Sequence, residues 1–406
     1  MITYQFIQGG ITAPSGFKAN GIHCGIRKNK LKKDLALIVA ENRCTSAAVY
    51  TQNLVKGAPL AVTKKNLSDG YAQAVICNSG NANTCNADGV EIAEKMCALV
   101  EKQTGISASD VIVASTGVIG QPLDVTPIAN GMESLVKGLG DNSHDCAQAI
   151  MTTDTVKKEV AISFMLGGKE CKIAGIAKGS GMIHPNMATM LVFMTTDVNI
   201  SSAMLQKVVS ADVKDTFNMI SVDGDTSTND MLTILASGKA GNKEIVSEGA
   251  DYKLFKKMFN VVSGELCKKI AGDGEGATKL LECTVIGAQS KKIARTVAKS
   301  VITSSLFKSA MFGSDANWGR VLCAIGYSGA NLDIDKIDVS FSSSKGNIPV
   351  CVGGRGIEFS EEKAKEILLE NKIVIDINLN SGRNKATAWG CDLTYEYVKI
   401  NGDYRT

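Results

Sequence analysis

The chain has 406 residues, with 44 Lys or Arg against 41 Asp or Glu, so its formal net charge is only +3. This balance provides no basic field for a nucleic-acid backbone or an anionic lipid surface, and we expect neither partner. The start of the chain lacks the features of a signal peptide and the apolar runs are too short to span a bilayer, which predicts a cytoplasmic protein.

Short apolar runs bounded by turn residues predict five strands. Several of them end in Gly, Ser or Asn clusters, and polar site residues usually lie in such loops. The predicted strands cover residues 35–39, 74–77, 111–114, 160–164 and 190–194.

Three helices are predicted from capping residues and apolar spacing. The first follows Asp88 as N-cap, with Glu91 three residues later. The second covers residues 202–219, where apolar residues recur every three to four positions. The third follows Ser360, runs to Asn371 and leads into alternating apolar residues at 373–379, which predict a strand.

This mixture of patterns predicts a mixed α/β fold. The chain has 40 glycines and only six prolines, and it contains no low-complexity linker and no repeat of 20 to 50 residues. We therefore expect one interlocked domain or two intimate lobes. The twelve cysteines form no C-x-x-C pair, so we expect most of them to be reduced core residues.

The most informative segment is residues 178–191, KGSGMIHPNMATML. Gly179 and Gly181 allow close approach of the backbone to a ligand, and Pro185 restricts the chain that leads to Thr189. A threonine hydroxyl needs a base, and the α-amino group of an N-terminal threonine, with a pKa of about 8, can serve as one. This chemistry would require cleavage between Ala188 and Thr189, by attack of the hydroxyl on the Ala188 carbonyl.

A glycine-rich loop leading into a core strand is the structural alternative for this segment. Catalysis by a histidine triad has little support, because the chain has only His23, His144 and His184 and none lies in a G-x-S-x-G motif.

The segment resembles the self-cleavage motif of the ornithine acetyltransferases, also called bifunctional glutamate N-acetyltransferase and amino-acid acetyltransferase. Further blocks resemble the same family along essentially the whole chain. They are residues 77–83, 115–120, 151–155, 223–230, 272–279, 313–320 and 401–406.

The resemblance implies transfer of acetyl from N2-acetylornithine to L-glutamate through acetyl-Thr189, without a metal or prosthetic group. It implies an alpha chain of residues 1–188 and a beta chain of residues 189–406, which fold together as one unit and assemble as a heterotetramer with two copies of each. The implied fold is N-terminal-nucleophile-like, similar to that of self-processing aminopeptidases. Some family members also use acetyl-CoA, and the sequence does not identify this chain as one of them.

Thr116 and Gly117 resemble the family's oxyanion pair, since the hydroxyl and the glycine N–H can both donate to a developing negative charge. From the residues alone, a turn at the end of a strand is the preferred account of them, and only the family resemblance favours the catalytic role.

The remaining site residues are also implied by resemblance. Lys178 suits a substrate carboxylate and Glu275 suits an amine, although exposed Lys and Glu are usually solvated surface residues. Thr152 matches a further substrate contact, with Thr153 as the neighbouring alternative in register. The C-terminal contacts are Asn401 and Thr406. Asp315, Asn317 and Arg320 form a polar cluster without assigned chemistry, for which packing around Trp318 is the simpler account.

Two other functions fit parts of the pattern. A self-processing aminopeptidase or amidohydrolase would use the same N-terminal threonine but resolve the acyl-enzyme with water. An uncleaved binding or structural protein would keep the fold without the chemistry.

Overall fold

The computed structural model describes residues 3–184 and 190–403 and contains both helices and strands, which confirms the mixed α/β class. The strands are β1 Tyr4–Phe6, β2 Phe17–Ile22, β3 Leu35–Tyr50, β4 Tyr71–Asn81, β5 Val111–Val118, β6 Lys158–Leu166, β7 Lys169–Lys178, β8 Leu191–Thr196, β9 Ile220–Ser221, β10 Met231–Ala236, β11 Leu280–Ala288, β12 Asp338–Ser343, β13 Gly346–Val352, β14 Arg355–Gly356, β15 Lys372–Asn378 and β16 Asn384–Cys391. The helices are α1 Ala58–Asn66, α2 Gly89–Thr104, α3 Thr126–Lys137, α4 Ser143–Ala149, α5 Ser202–Asp212, α6 Ala250–Gly272, α7 Lys291–Thr303, α8 Ser305–Phe312, α9 Trp318–Gly326, α10 Glu361–Leu368 and α11 Tyr395–Asp403.

A nine-stranded sheet forms the first layer, in the order β1-β6-β7-β8-β10-β3-β4-β5 with β2 beside β3. Strand β7 is antiparallel to β8, and Lys178 lies opposite Leu191. Strands β8 and β10 are parallel, as are β4 and β5. All five strands predicted from apolar runs lie in this sheet, although the last begins at Leu191, one residue later than expected.

A second, seven-stranded sheet has the order β14-β13-β12-β15-β11-β16-β9. Helix α6 contacts strands of both sheets, and its buried side chains include Phe255, Phe259 and Leu266. Helix α7 packs on β11 and β16. The largest hydrophobic core includes residues from both sheets together with these helices, so burial of apolar surface ties the two layers together.

The predicted helix of residues 202–219 is shorter in the structure, since α5 ends at Asp212 and only Phe217–Met219 returns to a 3-10 turn. The side chain at the end of α5 makes contacts that apolar spacing does not encode. The buried Asp212 carboxylate accepts hydrogen bonds from Thr216 Oγ1 at 2.9 Å and Ser263 Oγ at 2.6 Å. These bonds stabilise a turn after Asp212.

The other two predicted helices form, with differences at their ends. Asp88 is the N-cap of α2, but its side chain makes no capping hydrogen bond. Ser360 does cap α10, because its Oγ accepts from Lys363 N at 3.1 Å. Helix α10 ends at Leu368, before the predicted Asn371, whose carbonyl accepts a hydrogen bond from Leu280 N.

All twelve cysteines are free thiols, nine of them buried, as predicted for reduced core residues. Cys85 and Cys323 are exposed. Within the described residues, no helix combines the length and the apolar character that crossing a membrane requires.

Candidate active site

Six of the site residues expected from the sequence line one cavity of about 260 Å³. Residues on both sides of the undescribed segment 185–189 line the same cavity, namely Ile183 before it and Met190 after it. Ala188, Thr189 and Thr406 lie outside the described residues. The six residues in the cavity wall are Thr116, Gly117, Thr152, Lys178, Glu275 and Asn401.

Strand β5 brings Thr116 and Gly117 to the cavity at its C-terminal end. Gly117 has φ +135°, a conformation that L side chains rarely adopt. A Cβ at this position would lie 2.3 Å from the carbonyl carbon of Gly80. Glycine is therefore required for the backbone of β5 to run this close to β4.

Asn229 fixes the ends of β4 and β5 from the opposite side. Its Nδ2 donates to Ser115 O at 2.9 Å and to Ala82 O at 2.5 Å. Its Oδ1 accepts from the hydroxyls of Thr84 and Thr228, each at 2.6 Å. The buried amide thus makes four hydrogen bonds and joins the strand that carries Thr116 to the start of β10.

Thr152 is held by a buried charge network. Thr152 N donates to Asp154 Oδ2 at 2.9 Å, and Gly179 N donates to Asp154 Oδ1 at 2.7 Å. The fully buried Lys158 ammonium donates to Asp154 and Asp273, at 2.6 Å each. Burial opposes ionisation of Asp154, but the Lys158 and Lys178 charges outweigh it and hold the pKa of this carboxyl well below its usual value.

Lys178 and Asp230 place a buried amine and a buried carboxyl group in the cavity wall. Burial lowers the pKa of Lys178, and the nearby carboxylates of Asp154 and Asp230 partly oppose that shift. Burial raises the pKa of Asp230 well above its usual value. Asp230 Oδ2 accepts no hydrogen bond from the described residues, so a substrate donor that enters the cavity could satisfy it.

Glu275 meets the C-terminal helix at the cavity wall. Asn401 Nδ2, on α11, donates to Glu275 Oε2 at 2.6 Å. Gly181 lies so close that a Cβ there would be 2.4 Å from the same oxygen. The last described helix of the chain therefore contributes directly to the cavity.

His184 and the polar cluster of Asp315, Asn317 and Arg320 both lie in the described part of the chain. Burial, followed by the Lys299 charge, lowers the pKa of His184 to about 4, so its imidazole is neutral near neutral pH. Its Nδ1 lies 3.1 Å from Ser221 Oγ. Asn317 is the N-cap of α9, where its Oδ1 accepts from Arg320 N at 3.2 Å. The Asn317 cluster thus has a capping role, and its residues do not line the cavity.

A sequence model described as the ArgJ family matches residues 18–406. The chain belongs to the ArgJ family. It is 50% identical over 398 residues to the arginine biosynthesis bifunctional protein ArgJ 1 of Clostridium acetobutylicum. This alignment covers 98% of this chain and 97% of the relative. It is 47% identical over 404 residues to the arginine biosynthesis bifunctional protein ArgJ of Caldanaerobacter subterraneus, which covers 99% and 100%.

The crystal structure of the ArgJ protein from Bacillus halodurans is 46% identical, with a TM-score of 0.50. The match covers 52% of this chain and 98% of that chain. The family resemblance inferred from the sequence blocks is therefore confirmed for this ArgJ-family chain.

Four residues around the cavity of this ArgJ-family chain had no predicted role. Asn229, Asp230 and Asp273 lie in the recognised sequence blocks, and Lys158 lies three residues after one. Asp230 lines the cavity and Asn229 holds its β5 wall. Lys158 donates hydrogen bonds to Asp273 and to Asp154, and Asp154 in turn accepts from Thr152 N. A signal was available for the first pair, because an acidic residue follows Thr and Asn just before a buried strand. No such sequence signal marks Lys158, because a lysine at the start of a strand is not unusual.

Proposed function

We propose that this chain transfers the acetyl group of N2-acetylornithine to L-glutamate, giving ornithine and N-acetylglutamate in arginine biosynthesis. The supporting observation is the convergence of Thr116, Thr152, Lys178, Glu275 and Asn401 on one cavity, although they are spread widely along the chain. Ile183 and Met190 in the wall bring the chain on both sides of Thr189 to that cavity. Relatives aligned over nearly the full length are named as arginine biosynthesis proteins.

In the proposed mechanism, the Thr189 hydroxyl attacks the acetyl carbonyl and its proton passes to the Thr189 α-amine. The tetrahedral oxyanion accepts hydrogen bonds from Thr116 and Gly117, which the close packing of β4 and β5 holds in place. Collapse breaks the amide C–N bond, and the amine proton moves to the departing ornithine nitrogen. The α-amine nitrogen of glutamate then attacks the carbonyl carbon of the acetyl ester, and its proton passes through the Thr189 α-amine to the departing Thr189 oxygen as the C–O bond breaks.

Substrate binding follows from the charges of the cavity. The Lys178 ammonium would pair with the α-carboxylate of the amino acid, and Glu275 would accept from an amine of ornithine. Asn401 orients Glu275 through its 2.6 Å hydrogen bond. Thr152 and Thr406 would complete the contacts. The chemistry uses no metal and no prosthetic group, and acetyl-CoA would serve as an alternative acetyl donor.

We also propose that the chain cleaves itself between Ala188 and Thr189 by an N-to-O acyl shift followed by hydrolysis. The products, residues 1–188 and 189–406, would assemble as a heterotetramer with two copies of each. The B. halodurans crystal structure supports cleavage. The match covers 98% of that chain but only 52% of this one, which is close to the length of one product. We place the enzyme in the cytoplasm, where its twelve free thiols would stay reduced.

Thr189→Ala tests both parts, with Thr189→Ser as the matched control that keeps a hydroxyl. Denaturing mass analysis should give two fragments for the wild type and the serine variant and one intact chain for the alanine variant. Only the alanine variant should lose acetyl transfer altogether. An intact wild-type chain with full activity would refute cleavage, and ornithine release that ignores glutamate would instead indicate a hydrolase.

A further inference from the structure

A second cavity opens beside the active site. Its volume is about 570 Å³, roughly twice that of the active-site cavity, which is about 260 Å³. Both cavities are lined by Gly117, Thr152 and Thr153, so they meet at the proposed oxyanion site. We call this second cavity the basic annex. The loop that forms its outer wall contributes Ile26, Arg27, Lys28, Asn29 and Lys32.

Positive charge is concentrated on this loop. Five of the seven residues 27–33 are Arg or Lys, in a chain whose overall charge is only +3. Lys33 pairs with Asp145 at 2.6 Å. In the described part of the chain, Lys28, Lys30 and Lys32 have no carboxylate within salt-bridge distance, and no carboxylate lines the annex. Among the described residues, Lys28 and Lys32 therefore face the annex without a carboxylate partner.

Hydrogen bonds anchor the first part of this loop to the fold. The fully buried Asp34 accepts hydrogen bonds from the backbone N–H groups of Cys24 at 2.6 Å and Arg27 at 2.9 Å. The side chain of Arg27 lies across Gly80, where a Cβ would be 2.9 Å from Arg27 Cγ. Its Nη2 donates to Met151 O at 2.5 Å, next to Thr152. The loop carrying Lys28 and Lys32 is thus anchored to the active-site wall, which reduces the ordering cost of binding.

We propose that the basic annex is an anion subsite for the phosphate groups of an acyl carrier, a thioester whose thiol arm is attached to a phosphorylated nucleotide, as in acetyl-CoA. This inference rests on the proposed function and assigns a place to its second acetyl donor. Lys28 and Lys32 would contact the phosphates, while the thiol arm reaches past Gly117 with the acetyl group.

Size and charge favour this ligand over the side-chain carboxylate of glutamate. A cavity of about 570 Å³ lies within the range of small-molecule and cofactor pockets, which is about 300–1,000 Å³, whereas one carboxylate needs only a small part of it. In the half reaction, the Thr189 oxygen bonds to the acetyl carbon as the C–S bond breaks. The hydroxyl proton passes through the α-amine to the departing thiolate, so no further reactant is needed.

The test is the double variant Lys28→Glu/Lys32→Glu, compared with Lys256→Glu/Lys257→Glu, which makes the same change in charge on exposed residues of α6. At low ionic strength, kcat/KM for acetyl-CoA with saturating glutamate should fall about 10- to 100-fold in the annex variant only. Transfer from acetylornithine to glutamate should stay within about two-fold of wild type in both variants, which also shows that they fold. Calorimetric titration with coenzyme A should detect binding to wild type and weaker binding to the annex variant.

Several outcomes would overturn the proposal. If wild type transfers acetyl from acetylornithine but neither uses acetyl-CoA nor binds coenzyme A, the subsite assignment fails while the proposed function stands. An equal loss of both reactions would mean that the loop only positions the shared site. A higher KM for glutamate with either donor would assign the annex to the acceptor carboxylate. Failure of acetylornithine transfer in wild type would instead refute the proposed function itself.

Discussion

Replacement of Gly117 by alanine should impair catalysis and also destabilise the end of β5. An ideal Cβ on Gly117 would lie 2.3 Å from Gly80 C and 2.5 Å from Asn81 N, and both atoms belong to the backbone of β4. Ordinary contacts between heavy atoms are about 3.5 Å or longer. The ends of β4 and β5 would therefore have to separate by about 1 Å, because no flexible side chain can give way.

Gly117 and Thr116 are the proposed donors to the oxyanion. A displacement of about 1 Å costs on the order of 100-fold in rate, and loss of one oxyanion donor costs about 100- to 1000-fold. We expect kcat for acetyl transfer from acetylornithine to saturating glutamate to fall by about 100- to 1000-fold in Gly117→Ala. The KM for acetylornithine should change much less, since the variant loses an interaction made mainly in the transition state.

Gly120→Ala is the matched control. Gly120 has φ +78°, also in the region that favours glycine, but a Cβ there meets no atom within 4 Å. It should lose roughly 1 kcal/mol of stability from backbone strain and keep kcat close to wild type. If Gly117→Ala folded with a kcat within about three-fold of wild type, the end of β5 would not supply the oxyanion donors.

Three further predictions concern charge. Lys158→Met leaves Asp154 and Asp273 buried without their shared cation, so urea unfolding should show a loss of about 3–5 kcal/mol. Burial raises the pKa of Asp212 from 3.8 to about 6. Between these two pH values Asp212 keeps its proton in the native state but loses it in the unfolded chain. The stability of the native state therefore falls as the pH rises from about 4 to about 6. The stability of Asp212→Asn relative to wild type should therefore increase by up to about 3 kcal/mol between pH 4 and pH 6, measured by unfolding at each pH. Glu275→Gln should raise the KM for acetylornithine about 10- to 100-fold in steady-state assays, because a charged hydrogen bond contributes about 1.5–3 kcal/mol.

Five of the nine strands of the first sheet, β3, β4, β5, β6 and β8, could be predicted because each carries its own local signal. Residues 74–77 and 111–114 are continuous apolar runs, and both become buried parallel strands. The end of α5 could not be predicted in this way. Asp212, the last residue of that helix, accepts a hydrogen bond from Ser263, which lies 51 residues further along the chain. Apolar periodicity continues past Asp212 and contains no information about this partner.

In the cavity as well, some residues could be predicted from the local sequence and others depend on residues far away in the chain. Thr116, Lys178 and Glu275 were selected from sequence blocks, and the structure brings them into one wall. The buried ion pairs of Lys158 beside this wall were not predicted, because Lys158 and Asp273 are 115 residues apart in the sequence. A lysine that starts a strand is normally solvated, and only the folded arrangement shows that this one is fully buried between two carboxylates.

Cleavage between residues 188 and 189 would leave two chains that cannot separate without destroying the first sheet. Strands β8 and β10 follow the proposed cut, yet they lie between β7 and β3, which precede it. Six residue pairs join β7 to β8, and six join β10 to β3. The products should therefore elute together from a native sizing column and separate only after denaturation. Residues 1–188 produced alone should aggregate, because the edges of β7 and β3 would lack their partners. Recovery of either product as a soluble folded species in native buffer would contradict this interleaving.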